Sequence, residues 1–263
     1  MSKKPHIQQP LTLEELPEPI YYFLRSMPED TIYPAQTHPW GEFVFSFSGV
    51  LELHAEEQEF RVPPNFGLWH PAGTEHQGGN RNASEHCSLY IDDELATKRG
   101  MPKTSCALLV SPMLREMLIH LRNNFPKPPY TEQESRLLDV ILDQLIVTPI
   151  AGNYLPDSKD PLITQVLAYL KDDPGANHSI RAIAEKFGMS ERTLARKAQS
   201  ELNMPLSEWR QRLKVVRAVP MLQEGASVES VALDLGYSTA SAFIAMFKRL
   251  LGTTPDQYRN HGR

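Results

Sequence analysis

The sequence predicts an α+β chain of two domains: an N-terminal all-β barrel or jelly roll with flanking helices, and a C-terminal all-α domain with two helix-turn-helix units. Three observations carry this. Short runs rich in Phe, Val and Leu, broken by Gly and Pro, fill the region before about residue 100. A Pro/Gly/polar stretch follows near residue 150, and one pattern then occurs twice in the last third.

The strand runs lie at Glu42 to Leu53, Glu59 to Val62 and Leu68 to Trp69, interrupted by Gly49, Pro63-Pro64, Gly67 and Pro71. Alternation places Phe43, Phe45 and Phe47 on one face, a pattern that most often means simple core. A small barrel has little interior that is not also cavity wall, so Trp40, Phe43, Phe45 and Trp69 are the expected border of a pocket for a small-molecule effector.

Two helices follow. Ser111-Pro112-Met113 opens one through Leu114, Met117, Leu118 and Leu121, and Thr131-x-x-Glu134 is a capping box for a second through Leu137, Leu138, Ile141, Leu142, Leu145 and Ile146. The second is apolar at more positions than one buried face needs, which predicts a homodimer interface, with a self-contained helical hairpin as the alternative. Residues 148–160 have linker composition, and Asp160-Pro161 supplies an N-cap and first helical residue. The expected division is 1–147 for sensing and dimerisation, 148–160 as linker, and 161–263 for DNA binding.

The repeated pattern is Ser179-Ile180-x-x-Ile183-Ala184-x-x-Phe187-Gly188-Met189-Ser190, which returns as Ser227-Val228-x-x-Val231-Ala232-x-x-Leu235-Gly236-Tyr237-Ser238. In each copy the first Ser caps a helix, the small Ala permits a close crossing, the Gly ends the helix in the left-handed conformation, and the second Ser caps the next one. Two such units, at about 179–201 and 227–250, point to double-stranded promoter DNA as a partner, although helix pairs of this kind also occur as plain packing units. The candidate contacts are Arg192, Thr193, Ala195 and Arg196 in the first unit. In the second they are Thr239, Ala240, Ser241, Ala245 and Lys248, a face of mostly short side chains.

The stretch Ala232-x-x-Leu235-Gly236-Tyr237-Ser238-x-x-Ser241-x-Phe243-x-x-x-Phe247-Lys248-Arg249-x-x-Gly252-x-Thr254-Pro255-x-x-Tyr258-Arg259 resembles the C-terminal signature of the AraC/XylS transcription regulators. The resemblance implies seven helices, with one of about Leu206 to Gln223 holding two recognition helices in successive major-groove turns. Three departures stand out. Ala245 replaces a groove-facing Arg found in many members, Ala198 replaces a Phe, and Pro220 lies inside the connecting helix, where it should kink the helix or end a hydrogen-bond run.

Upstream, His38-x-x-x-Glu42-x6-Gly49 and Pro71-x-Gly73-x-x-His76-x-x-x-Asn80 resemble the two motifs of cupin barrels. Metal-binding cupins bring such residues together around a divalent ion. Here that implies His38, Glu42 and His76, with Gln36 as a weak fourth oxygen ligand where the family has His. The alternative is that the motifs survive for their turns and no metal is held. His54, His70 and His86 lack comparable spacing and are expected at the surface or as satisfied buried residues.

Charge divides as the domains do. The chain carries −5 overall, whereas residues 158–263 hold 15 Lys/Arg against 11 Asp/Glu, a net +4. So small a positive charge suggests that DNA affinity needs two copies of the domain. Cys87 and Cys106 are without metal-like spacing and fit free thiols of a reducing compartment. Met1 to Pro17 is polar, and no stretch approaches 18 apolar residues, so a cytoplasmic chain with no membrane partner is expected. These features together predict an effector-controlled, sequence-specific transcription regulator and not an enzyme, with RNA polymerase a further partner if it activates. The competing reading is a metal-dependent cupin dioxygenase or isomerase with a helical appendage.

Overall fold

The structure, a computed structural model, describes residues 6–9, 11–55, 58–80 and 83–261. The chain divides into two compact units, Met1–Tyr154 and Leu155–Arg263.

In chain order the first unit holds β1 (His6–Ile7), β2 (Ile20–Met27), β3 (Thr31–Ile32), β4 (Trp40–Ser46), β5 (Leu51–Ala55), β6 (Gln58–Val62), β7 (Phe66–His70), β8 (His76–Asn80), β9 (Ser84–Asp92), α1 (Asp93–Arg99), β10 (Cys106–Leu109), α2 (Pro112–Asn124), α3 (Glu132–Val147) and β11 (Ile150–Gly152). The strands form two sheets, one ordered β11-β10-β7-β4-β9-β2 and the other β1-β3-β8-β5-β6. All pairs are antiparallel except β1 with β3.

Every residue of β4 is buried, so both faces of the larger sheet are covered. Register sorts them. Phe43 pairs with Leu89 and Trp69, whereas Glu42 pairs with Tyr90 and His70, and Val44 with Ser88 and Leu68. The Phe43 face packs on the helices, in a core with Phe45, Trp69, Cys87, Leu89, Leu114, Leu118, Leu138 and Leu142. The Glu42 face turns toward the smaller sheet.

Ser111 caps α2 at Leu114 N, and the Thr131/Glu134 capping box forms at the start of α3. Most of the apolar surplus on α3 is buried within its own unit. Leu138, Ile141, Leu142 and Leu145 are fully buried, and Leu137 and Ile146 pack partly against the same core, leaving Val140 and Val147 exposed. The expected linker is also shorter than 148–160. Ile150 pairs with Leu108, and the Tyr154 ring lies 4.9 Å from Phe66, which ties residues up to 154 to the first unit.

The second unit is helical: α4 (Pro161–Asp172), α5 (Ile180–Lys186), α6 (Glu191–Leu202), α7 (Leu206–Gln223), α8 (Val228–Asp234), α9 (Ala240–Leu251) and α10 (Pro255–His261). Asp160 caps α4 with Pro161 at its first position. Helix α7 runs through Pro220 and ends one turn later, at the expected bounds. Among the described residues no helix is long and apolar enough to cross a membrane.

Candidate functional site

Two sites emerge, one between the sheets and one on the helical unit. In the first, His38, Glu42, His70 and His76 each offer a ligand atom, and these atoms all lie within 4.8 Å of one another. Glu42 Oε2 is the hub. It lies 3.2 Å from His38 Nε2, 3.0 Å from His70 Nε2 and 3.6 Å from His76 Nε2. The outer nitrogens are anchored by backbone, His38 Nδ1 donating to Trp40 O at 2.7 Å and His76 Nδ1 to Thr74 O at 2.9 Å. Trp40 also stacks on His38 with ring centroids 5.3 Å apart.

Burial alone would raise the Glu42 carboxyl. Hydrogen bonds with His38 and His70, and the charge of His70 and His76, outweigh it and hold the group well below its ordinary value. Burial, reinforced by His70, pushes His76 down to about 4.

Three of the four residues expected from the motifs therefore meet. Gln36 stands behind the hub instead, its Nε2 3.0 Å from His76 Nε2. His70, expected either at the surface or as a satisfied buried residue, is fully buried at the hub. No sequence spacing announces it, because its position follows from the β4–β7 register that sets it opposite Glu42.

Glu42 and His76 also line a cavity of about 630 Å³, its open mouth included, between the two sheets. Its walls include Phe23, Arg25, Tyr33, Val44, Leu68, His86 and Tyr90. The expected border of Phe43, Phe45 and Trp69 is corrected here. All three lie on the opposite face of the larger sheet, one residue out of phase, in the core under the helices. Trp40 is not a wall residue either, being packed on His38 and Tyr90.

On the helical unit, Ser179 caps α5 and Ser190 caps α6, with Gly188 between them at φ +69°. In the second copy Ser227 caps α8, but the cap of α9 is Thr239, which accepts from Ala242 N, and not Ser238. Leu194, Ala198 and Leu202 bury one face of α6, and Phe243, Met246, Phe247 and Leu251 one face of α9. The opposite faces expose Arg192, Ala195 and Arg196 on α6, and Ser241, Ala245 and Lys248 on α9. Thr193 and Ala240 are half-buried, the former with its hydroxyl 2.9 Å from that of Ser190.

A family model described as a helix-turn-helix domain matches residues 183–261. The HTH-type transcriptional regulator NimR of Escherichia coli (strain K12) is 33% identical over 225 residues, spanning 86% of this chain and 81% of that protein. A Streptomyces lividans protein described as an AraC-like transcription regulator is 27% identical over 226 residues, 84% of this chain and 65% of that one. The chain belongs to the AraC/XylS family. As a member of that family it is a DNA-binding transcription regulator of the AraC type. The solved structure of ToxT from Vibrio cholerae O395 spans 94% of this chain and 100% of that one at 11% identity, with a TM-score of 0.40, too distant a likeness to carry anything across.

Proposed function

We propose that α6 and α9 lay their exposed faces in the major groove of promoter DNA, with Arg192, Arg196 and Lys248 as the principal cations. One observation carries this. Other described Lys and Arg side chains of the helical unit are engaged within the protein, by carboxylates, by carbonyls, by a side-chain amide or by aromatic rings. Arg192, Arg196 and Lys248 have no such partner among the described residues, and all three project from the second helices of the two units. Thr193, Ala195, Thr239, Ala240, Ser241 and Ala245 complete the surface with hydroxyl and methyl contacts.

The inter-sheet cavity is the binding place of a small organic effector that sets this DNA binding. Its polar floor and apolar walls suit a small molecule, and His86 Nδ1 is buried there with no hydrogen-bond partner. We favour a sensor over a cupin dioxygenase or isomerase because the relative matched over 86% of the chain is named a regulator. A cytoplasmic homodimer fits the net +4 of residues 158–263, since two domains double the phosphate contacts, and RNA polymerase is a further partner if the protein activates.

The test is fluorescence anisotropy on a duplex recovered by selection from random DNA, at several salt concentrations. Lys248→Ala should weaken binding to all sequences and lower the salt slope by about 1. Unchanged affinity and slope in all three single Ala variants would remove these helices from the interface.

A further inference from the structure

We propose that Arg210 and Asn177 are positioning residues for DNA recognition. They fasten residues 173–178, the segment that enters the first helix-turn-helix, to α7 and to the Gly236 turn of the second, and so fix how far apart on the duplex α6 and α9 can read. The inference rests on the reading of α6 and α9 as the DNA-contacting helices.

The connecting helix is a loose brace by itself. Helix α7 packs on α6, α8, α9 and α10. Pro220 has no N–H to give to the Val216 carbonyl, so the part of α7 that leads to the second helix-turn-helix lacks a hydrogen bond. Gly225, at φ +94°, then carries the chain into α8. Such a connection bends more easily than an unbroken helix, and the angle between the two helix-turn-helix units needs a second tie.

That tie is the segment between α4 and α5. Asp173 closes it into a turn, its carboxylate accepting from Ala176 N at 3.0 Å. Gly175 lies against the α8–α9 turn, where a Cβ added to it would fall 2.5 Å from Asp234 O, and Asn177 Nδ2 donates to Gly236 O. Two residues after Asn177, Ser179 caps α5, and three residues after Gly236, Thr239 caps α9. The start of one helix-turn-helix and the recognition helix of the other are thus joined across a few residues.

Arg210 holds the same segment from α7. Its Nη1 donates to His178 O and its Nη2 to Ala176 O, each at 2.7 Å, so the planar fork grips two carbonyls at once. One turn further along α7, Lys214 Nζ lies 4.6 Å from the centroid of the Tyr237 ring, next to Gly236. Neighbouring cations of one helix therefore hold the segment of the first helix-turn-helix and the turn of the second.

Rigidity of this kind is read as spacing. One inserted base pair moves half of a site about 3.4 Å along the duplex and turns it about 35° around the axis. A rigid pair of reading helices then gives up the contacts of one of them. A loosened pair follows the displaced half, at a lower effective concentration.

The experiment uses the full chain and fluorescence anisotropy on a duplex recovered by selection from random DNA, and on the same duplex with one base pair inserted between its two segments. Wild type should lose about tenfold or more on insertion, the worth of a base contact. Arg210→Ala and Asn177→Ala should bind the original duplex more weakly than wild type, yet lose no more than about threefold on insertion. A change that only destabilises the domain or removes a charge lowers binding to both duplexes alike and leaves this ratio unmoved. Variants with the wild-type ratio overturn the proposal. If wild type is indifferent to the insertion while Lys248→Ala still weakens binding, both helices touch DNA without a fixed spacing and the proposal alone fails. If Lys248→Ala is also without effect, the reading of α9 fails and the proposal falls with it. Should Arg210→Ala not fold, Arg210→Lys keeps the charge but cannot fork two carbonyls, and carries the same comparison.

Discussion

Gly236 sits directly on the carbonyl oxygen of Gly175, where a Cβ added to Gly236 would fall 1.9 Å away, with φ already at +75°. Gly188, its counterpart in the first copy of the repeat, has φ +69° but nothing within 4 Å of an added Cβ. Two glycines at one position of the same motif thus do different work. Gly188→Ala should cost about 1 kcal/mol, the strain of a left-handed alanine. Gly236→Ala must also push two backbone segments apart and should cost at least twice as much. Urea unfolding of both variants measures the difference, and equal costs would contradict this packing.

Helix α3 gives a second contrast. Leu142 is fully buried in the core of the first unit, whereas Val147 is 72% exposed on the same helix. Leu142→Glu places an unpaired charge among apolar side chains and should destabilise the unit by several kcal/mol, while Val147→Glu should leave its melting nearly unchanged. If two chains associate along the exposed edge of α3, Val147→Glu lowers the sedimentation coefficient without unfolding. Leu142→Glu that folds normally and only dissociates would restore the interface expected from the sequence pattern.

These two cases show which parts of the structure the sequence discloses. The helix-turn-helix units are legible because caps, glycines and apolar spacing act within a dozen residues, although the shift of the α9 cap from Ser238 to Thr239 shows that a repeat need not copy its hydrogen bonds. His38, Glu42 and His76 are legible because the motif spacing marks them, although β4 with Glu42 and β8 with His76 belong to different sheets. His70 and the cavity walls are not. With every residue of β4 buried, alternation separates Phe43 and Phe45 from Glu42 and Val44 but gives no sign of which set meets helices and which meets the second sheet.

His86 lines the cavity in neutral form, its pKa pushed from 6.5 down to about 4 by burial, with the nearby Arg25 adding to the effect and Glu42 opposing it. The folded chain therefore resists a proton that the unfolded chain accepts below about pH 6.5. Stability from this residue is complete above pH 6.5 and falls progressively as pH drops toward 4. Melting temperatures of wild type and His86→Phe, followed from pH 7.5 to 4.5, should converge or cross as the pH falls. Parallel curves would show that His86 charges as readily when folded.

Cys87 and Cys106 are both buried thiols outside any disulfide, and desolvation raises the Cys87 thiol well above its usual range. A thiol reagent should label neither in the native chain within minutes, and both after urea unfolding. Rapid native labelling of Cys87 would mean that β9 opens readily.

The central claim is that the first helix-turn-helix carries the sequence discrimination, through Arg192 and Arg196 exposed one turn apart on α6, while α9 offers the short side chains of Ala240, Ser241 and Ala245 to the bases and Lys248 to phosphate. Selection of binding sequences from random duplex DNA by wild type, Arg192→Ala and Arg196→Ala tests it most directly. Wild type should enrich a motif with two segments about one helical turn apart, and each variant should lose preference at one or two adjacent base pairs, worth about 1–3 kcal/mol apiece. No enriched motif, or the same motif with affinity lowered uniformly at every position, would contradict it.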